Sequence, residues 1–137
     1  MGGLGLQTAG LIFGGSVDSD PSTKNTTVEW DGTSWYSGGT YPINVKYTTG
    51  FGSQTSGIGA SGEKIPGGAT GICNHYNGTS WTEIAELSTA RTSLVANGSA
   101  STGGMSGFVA GGYTPPGPST ITEEWNVPTS NATITLG

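Results

Sequence analysis

Few side chains in this sequence can do chemistry, and their spacing suggests two candidate centres. The single cysteine and single histidine, Cys73 and His75, stand two positions apart, so in a strand they project from the same side and can form a Cys–His pair. Glu29 and Glu124 occupy equivalent positions of an internal repeat, and paired carboxylates suit glycoside hydrolysis. Structural roles are the simpler interpretation, because a lone cysteine is commonly a small buried group and a metal site needs three or four ligands. We therefore predict no catalytic residue, no metal site and no cofactor.

The aromatic residues divide into a repeating and a non-repeating group. Residues that recur at fixed places are expected to form a shared core, although stacking of a tryptophan on a sugar is an alternative. The predicted repeat core comprises Trp30, Trp35, Tyr76, Trp81 and Trp125, with the glycine doublets Gly14–Gly15 and Gly111–Gly112. Non-repeating aromatics on loops are candidates for contact with a ligand or partner. The predicted contact residues are Tyr36, Tyr41 and Tyr113.

The composition indicates thin β-sheets with many tight turns. The 137 residues include 26 Gly and 7 Pro, while apolar residues make up 32% and charged residues only 9%. Disordered chains are poor in aromatics and highly charged, whereas this chain has four Trp and five Tyr at regular places. No segment is typical of a helix, so the predicted class is all-β.

Charge and hydropathy argue against two kinds of partner. The net charge is −5, and four Lys and Arg in total cannot form a stripe that follows a phosphate backbone. No run approaches the ~20 apolar residues of a membrane span. The N-terminal residues lack the basic region and continuous apolar stretch of a signal peptide. We expect no nucleic-acid binding, no membrane insertion and a soluble chain.

Two sets of landmarks reveal a threefold internal repeat. Gly15, Gly62 and Gly112 stand 47 and 50 positions apart. The aromatic residues at 30, 76 and 125 stand 46 and 49 apart, which is the same period. A period of about 40–50 residues is typical of four-stranded propeller blades. The sequence predicts a single domain of three repeats, at about 1–43, 44–88 and 89–137.

Each repeat is predicted to contain four strands, with gaps at both ends of the chain. The innermost strands are expected at Asn44–Thr49 and Thr92–Ala96, and the first repeat is expected to lack one. The last strand of the third repeat is expected at Ala132–Leu136. Connections at Ser16–Asn25 and Tyr113–Thr120 are expected to be polar surface loops, the second a rigid one whose prolines cannot donate to a ladder.

Two copies of an Asx-Gly-Thr-Ser-Trp segment predict hairpins. Asp31-Gly32 and Asn77-Gly78 tolerate the positive φ of a two-residue type I′ turn. Such a turn would place Trp30 opposite Thr33 and Val28 opposite Trp35.

These motifs resemble the kelch repeat. A glycine doublet after an apolar strand is followed 13–15 residues later by an aromatic residue, and then by a tryptophan after a tight turn. The segments are still more similar to the short kelch-like repeats of marine phage tail and virion proteins. The segments that carry this resemblance are Thr8–Gly15, Asp31–Trp35, Thr89–Arg91 and Thr122–Trp125. The resemblance implies kelch-like propeller blades and a place in the virion. The second repeat departs from the pattern, with Ser61–Gly62 for the doublet.

Three blades are too few for a closed propeller, which has typically four to eight. An open arc would leave apolar blade faces in water. We expect closure by oligomerisation, with a homodimer of six blades as the simplest ring.

The function implied is that of a non-enzymatic structural or adhesive virion component, on a tail, a fibre or the capsid surface. Its loops would contact other virion proteins or host surface glycans. A carbohydrate-binding, lectin-like propeller is the alternative, and a glycan-processing enzyme is a further one.

Overall fold

The computed structural model describes residues 1–17, 20–101, 104–128 and 133–136, and within these ranges the chain forms strands and turns with no helix. The prediction of an all-β chain is confirmed. The strands in chain order are β1 (Gly2–Leu6), β2 (Ala9–Phe13), β3 (Ser16–Val17), β4 (Asp20–Thr23), β5 (Thr27–Trp30), β6 (Trp35–Ser37), β7 (Thr49–Ser53), β8 (Ser56–Lys64), β9 (Gly68–Tyr76), β10 (Trp81–Ile84), β11 (Val95–Ser101), β12 (Gly104–Ala110), β13 (Tyr113–Thr114), β14 (Gly117–Pro118), β15 (Thr122–Pro128) and β16 (Thr133–Leu136). None of the described segments is a helix with the length and apolar character needed to cross a bilayer.

Twelve of these strands form three four-stranded antiparallel sheets. Sheet 1 has the order β1-β2-β5-β6, sheet 2 the order β7-β8-β9-β10, and sheet 3 the order β11-β12-β15-β16. Strand β7 packs against both β1 and β11, so sheet 2 lies between the other two. Strands β3 and β4, and β13 and β14, form two small separate hairpins.

The first sheet has an innermost strand, so the prediction that it lacks one is wrong. Strand β1 pairs with β2 along its whole length, from Gly2 opposite Phe13 to Leu6 opposite Ala9. Its Gly-Gly-Leu-Gly-Leu sequence has little β-propensity, and the neighbouring strand supplies the pairing that propensity does not. The first strands of sheets 2 and 3, β7 and β11, also begin later than the inner strands predicted at Asn44–Thr49 and Thr92–Ala96.

The segments predicted as inner strands instead connect neighbouring sheets. Val45 and Lys46 bridge Lys24 on one side and Glu63 on the other. Arg91 and Thr92 repeat this arrangement one unit later, between Thr70 and Tyr113. Each connecting segment therefore bridges the hairpin between the second and third strands of one unit to the equivalent hairpin of the next.

Both Asx-Gly hairpins have four-residue loops, so the predicted two-residue turns are wrong. Trp30 pairs with Trp35, and Tyr76 pairs with Trp81. The Asp31 carboxylate accepts the backbone N–H groups of Thr33 and Ser34 at 2.8 and 2.7 Å. Asx side chains commonly cap backbone N–H groups in this way, and here that capping sets the loop length.

The glycine doublets occupy equivalent left-handed positions. Gly14 and Gly111 both have φ of 68°, and Ser61, which replaces the glycine in the second repeat, has φ of 64°. A non-glycine residue there is uncommon because its Cβ crowds the backbone.

The two predicted surface loops contain short hairpins. Tyr113 pairs with Pro118 and Thr114 with Gly117, so the proline-rich segment forms a short hairpin instead of the predicted loop. Its prolines lie at the turn and at the end of the pair, where no N–H donor is needed. The Ser16–Asn25 segment contains β3 and β4, and its residues 18–19 lie outside the described residues. Strand β16 corresponds to the predicted last strand, whose first residue, Ala132, also lies outside them.

Candidate interaction surfaces

Each sheet has two distinct faces, because successive side chains in a strand alternate. We call the face that carries Gly10 and Trp30, or their equivalents in the other sheets, the front, and the opposite face the back. In the ladder register, Gly10–Trp30, Gly57–Tyr76 and Gly107–Trp125 are equivalent cross-strand pairs.

The back of sheet 1 packs on the front of sheet 2. A Cβ atom at Gly57 would lie 2.7 Å from the Leu4 side chain, and one at Gly59 would lie 2.8 Å from the Phe13 ring. These glycines therefore provide the space that Leu4 and Phe13 fill. The buried residues of this contact form one cluster: Leu11, Phe13, Tyr41, Val45, Tyr76 and Trp81.

Two side-chain hydrogen bonds cross the same contact. The Trp81 indole Nε1–H donates to Thr27 Oγ1 at 3.0 Å. The Tyr76 hydroxyl donates to Glu29 Oε1, and Glu29 is buried. Burial raises the pKa of Tyr76, and its bond to the Glu29 carboxylate raises that pKa further. A buried carboxylate needs such a donor, so Glu29 has a structural role here.

The back of sheet 2 packs on the front of sheet 3 in the same manner. Cβ atoms built at Gly98 and Gly107 would each lie 2.6 Å from the Phe51 ring. The buried cluster here comprises Phe51, Ile58, Ala60, Cys73, Leu87, Leu94, Val109 and Trp125.

A buried ion pair holds the segment that enters sheet 3. Arg91 Nη2 lies 2.6 Å from Glu123 Oε2, and neither side chain has exposed surface. Arg91 Nη1 donates to the carbonyls of Gly111 and Ile121 at 2.8 and 2.7 Å, and Ser88 N donates to Glu123 Oε1 at 2.7 Å. Sequence reasoning did not single out Glu123, although its position beside Glu124 in the third repeat was the available signal.

The front of sheet 1 has no sheet packed on it among the described residues. Ladder register places Ile12, Val28, Trp30 and Trp35 together on this face. The Trp30 and Trp35 rings are 5.3 Å apart between centroids, and Trp35 is 53% exposed. Its equivalent Trp81 is only 8% exposed, because sheet 1 covers it.

The back of sheet 3 is the second face on which no sheet of the described residues packs. It forms a shallow groove of about 810 Å³. Its lining residues are Asn97, Gly98, Ser99, Ser106, Gly107, Phe108, Thr122, Glu124, Trp125 and Asn126. Phe108 is 41% exposed in this groove, which is lined by both polar and apolar residues.

The three predicted contact tyrosines have different environments. Tyr41 is wrong as a contact residue, since it is fully buried and stacks on Phe13 at 4.8 Å between ring centroids. Burial raises its pKa well above the ordinary value. Tyr36 and Tyr113 are both exposed, but Tyr36 lies in strand β6 rather than on a loop. Tyr113 lies in the β13–β14 hairpin.

The predicted core aromatics separate according to the sheet they belong to. Tyr76, Trp81 and Trp125 are buried between sheets. Trp35 is exposed and Trp30 is only half-buried, so the prediction that Trp35 lies in the core is wrong for the single chain. Both lie on the front of sheet 1, which no sheet formed by the described residues covers.

The residues first considered for catalysis are engaged separately. Cys73 is buried, and burial raises the pKa of its thiol to about 12. His75 Nε2 lies 3.2 Å from Ser56 Oγ, and burial lowers its pKa. Glu29 lies between sheets 1 and 2, whereas Glu124 lies on the open back of sheet 3. No three His, Cys, Asp or Glu side chains in the described ranges come together as metal ligands.

Comparison with known proteins indicates the fold and no activity. No family model and no curated protein matches the sequence. Among solved structures, the chain is similar to the structure of YjhT, with a TM-score of 0.75 and 16% sequence identity. The match covers 98% of this chain and 44% of that chain, so this chain spans less than half the length of that structure.

Proposed function

We propose that this chain is a non-enzymatic, kelch-like propeller scaffold in a phage virion. Its small hairpins β3–β4 and β13–β14 would contact other virion proteins or host surface glycans. The observation that carries the proposal is the repetition of one contact: the back of each sheet fills the glycine front of the next. Repetition with a constant contact is how propeller blades are built around an axis. The resemblance of the repeats to those of phage tail and virion proteins suggests the location.

The use of the polar side chains supports a structural rather than a catalytic role. Glu29 accepts from Tyr76, and Glu123 is paired with Arg91. The Cys73 thiol has a pKa of about 12, which keeps it protonated and a poor nucleophile near neutral pH. These groups stabilise contacts between sheets.

The β13–β14 hairpin is the proposed contact element. Its Tyr113 is 45% exposed, and Pro115 and Pro116 at the turn are exposed as well. An exposed tyrosine held by a short hairpin offers a large, rigid surface to a partner at little entropic cost.

Purified virions test whether the chain is a virion component, and host cells test whether the β13–β14 hairpin contacts a partner. We expect the chain among the proteins of gradient-purified particles, and an antibody against it should label one place on the particle in immunogold electron microscopy. In a host-cell binding assay, Tyr113→Ala should weaken binding by about tenfold. Tyr47→Ala is the matched control, since Tyr47 is 52% exposed but lies outside the hairpins. Absence from purified virions, or unchanged binding by Tyr113→Ala, would refute the proposal.

A lectin-like function is the second candidate, favoured by the exposed Tyr36 and Tyr113 rings, which can stack on sugars. Binding on a glycan array that is lost in Tyr113→Ala and kept in Glu124→Gln would support it. Turnover of a glycoside that is lost in Glu124→Gln would instead identify an enzyme.

A further inference from the structure

We propose that the open front of sheet 1 binds the open back of sheet 3 of a second copy of this chain, so that two copies close one ring through two identical contacts. The inference rests on the proposed function only in treating the sheets as blades of a ring. It names the partner and the residues that would meet.

Side-chain sizes are complementary across this contact as they are within the chain. In the contact between sheets 1 and 2, the large Phe13 on the back of sheet 1 faces the small Gly59 on the front of sheet 2. At the next contact the order reverses: Ala60 on the back of sheet 2 shares a cluster with Val109, the equivalent of Gly59.

The two open faces continue this series. The equivalent back position in sheet 3 is Ala110, and the equivalent front position in sheet 1 is Ile12. A small residue would again meet a large one, so the two open faces have the complementarity of the two closed contacts.

The two open faces also carry a hydrogen-bond donor and an acceptor at equivalent positions. Trp81 Nε1–H donates to Thr27 Oγ1 across the contact between sheets 1 and 2. The equivalents on the open faces are Trp35 on the front of sheet 1 and Thr122 on the back of sheet 3. Trp35 is 53% exposed, and its indole N–H has no acceptor within the described part of the chain. Stacking the two faces in the same register would bring that N–H to Thr122 of the second copy.

Gly10 is the most informative position. Its equivalents Gly57 and Gly107 have no room for a Cβ atom, because Leu4 and Phe51 fill the space. At Gly10 a Cβ atom would have no neighbour closer than 3.4 Å, and its φ lies outside the left-handed region. Nothing in the described part of the single chain therefore requires glycine here, whereas a second copy placing Asn97, the equivalent of Leu4, on this spot would require it.

Two copies are the number that closes a ring of typical size. The described residues of one chain provide three four-stranded sheets, and three copies would give about nine, above the typical range of four to eight. The contact joins different faces, so it is heterologous and closes after two copies only if each arc spans half a turn.

The test is the mass of the chain in solution by sedimentation equilibrium. We expect a particle of twice the 13.7 kDa chain mass. Gly10→Val should raise its dissociation constant by about tenfold or more, because overpacking a close contact is destabilising. Gly117→Val is the control. A Cβ atom at Gly117 also has open space, and Gly117 lies on the β13–β14 hairpin, outside the two open faces. Acrylamide should quench tryptophan fluorescence more strongly in Gly10→Val than in the dimer, as Trp35 becomes accessible.

A monomeric mass at high protein concentration would overturn the inference, as would a dimer that Gly10→Val leaves intact. Circular dichroism of each variant distinguishes lost assembly from lost folding, since only the former preserves the β spectrum and a cooperative melt. Failure here would leave the virion and hairpin experiments unaffected, so the two proposals can fail separately.

Discussion

Substitution of Arg91 or Glu123 should lower the stability of the fold more than the other changes considered below. Their ion pair is fully buried, and the second terminal guanidinium nitrogen of Arg91, Nη1, donates to two backbone carbonyls. Removing one member of such a pair leaves an uncompensated buried charge, which typically costs about 3–5 kcal/mol. We expect Arg91→Met to lower the free energy of unfolding by that amount in urea denaturation.

The double variant Arg91→Met/Glu123→Leu provides the control. With both charges removed, the desolvation penalty disappears, and part of the lost stability should return. A single variant as stable as the wild type would show that the pair contributes nothing to the contact between sheet 3 and its entry segment.

His75 predicts a pH dependence of stability. Burial lowers its pKa in the folded chain below the ordinary value of 6.5, so the unfolded chain binds the proton more readily. The contribution of neutral His75 to the free energy of unfolding is therefore fully present above pH 6.5, and it decreases as the pH falls below that value. Urea midpoints at pH 7.5 and 5.5 should differ less in His75→Gln, which retains a partner for Ser56. An equal difference in both proteins would assign the effect to other groups.

At the scale of elements, the Asx-capped loops decide how the third and fourth strands pair. Asn77 Oδ1 accepts the N–H groups of Thr79 and Ser80, each at 2.9 Å. We expect Asn77→Ala to cost about 1 kcal/mol, the typical net value of a hydrogen bond, measured by thermal or urea denaturation. Asn77→Asp keeps the acceptor and should be nearly neutral. If both variants lose the same stability, the cap is not the reason for the loop length.

These loops also show what a sequence can and cannot reveal. Asp-Gly and Asn-Gly between aromatic runs correctly located two hairpins, because local turn chemistry is written in adjacent residues. The same residues did not reveal the register, since a two-residue turn and an Asx-capped four-residue loop use the same dipeptide. The pairing of Trp30 with Trp35 depends on a hydrogen bond that propensity does not describe.

Strand β1 illustrates the second limit. The segment Gly2–Leu6 has three glycines in five residues and reads as a weak strand, yet it pairs fully with β2. Its glycines carry no periodic signal, because their role is to leave space. The landmarks behind the predicted repeats are periodic in the sequence, whereas strands made mostly of glycine could be found only through their neighbours.

At the scale of the molecule, the candidate surfaces are those where the repeating contact stops. The aromatic pattern alone predicted that Trp35 would be core like Trp81, and the difference in exposure, 53% against 8%, arises only from position in the array. No property of the Trp35 segment itself could have revealed this. It follows from the packing of the described sheets, in which sheet 1 covers Trp81 and no sheet covers Trp35.

The direction of assembly can be tested by mixing two variants that block different faces. Gly10→Val blocks the front of sheet 1, and Ala110→Trp blocks the back of sheet 3, where Ala110 lies opposite Thr122 in the ladder. In a front-to-back dimer every contact uses one front and one back, so each variant alone should be monomeric.

In the mixture, the free back of the Gly10→Val chain can still bind the free front of the Ala110→Trp chain. Sedimentation should therefore detect a heterodimer at concentrations where neither variant associates by itself, held by one contact instead of two. The wild type mixed with either variant is the control for concentration. A front-to-front dimer gives a different pattern, because Ala110→Trp would then dimerise alone and Gly10→Val would stay monomeric in the mixture. Only a head-to-tail contact makes two defective chains associate because their defects lie on different faces.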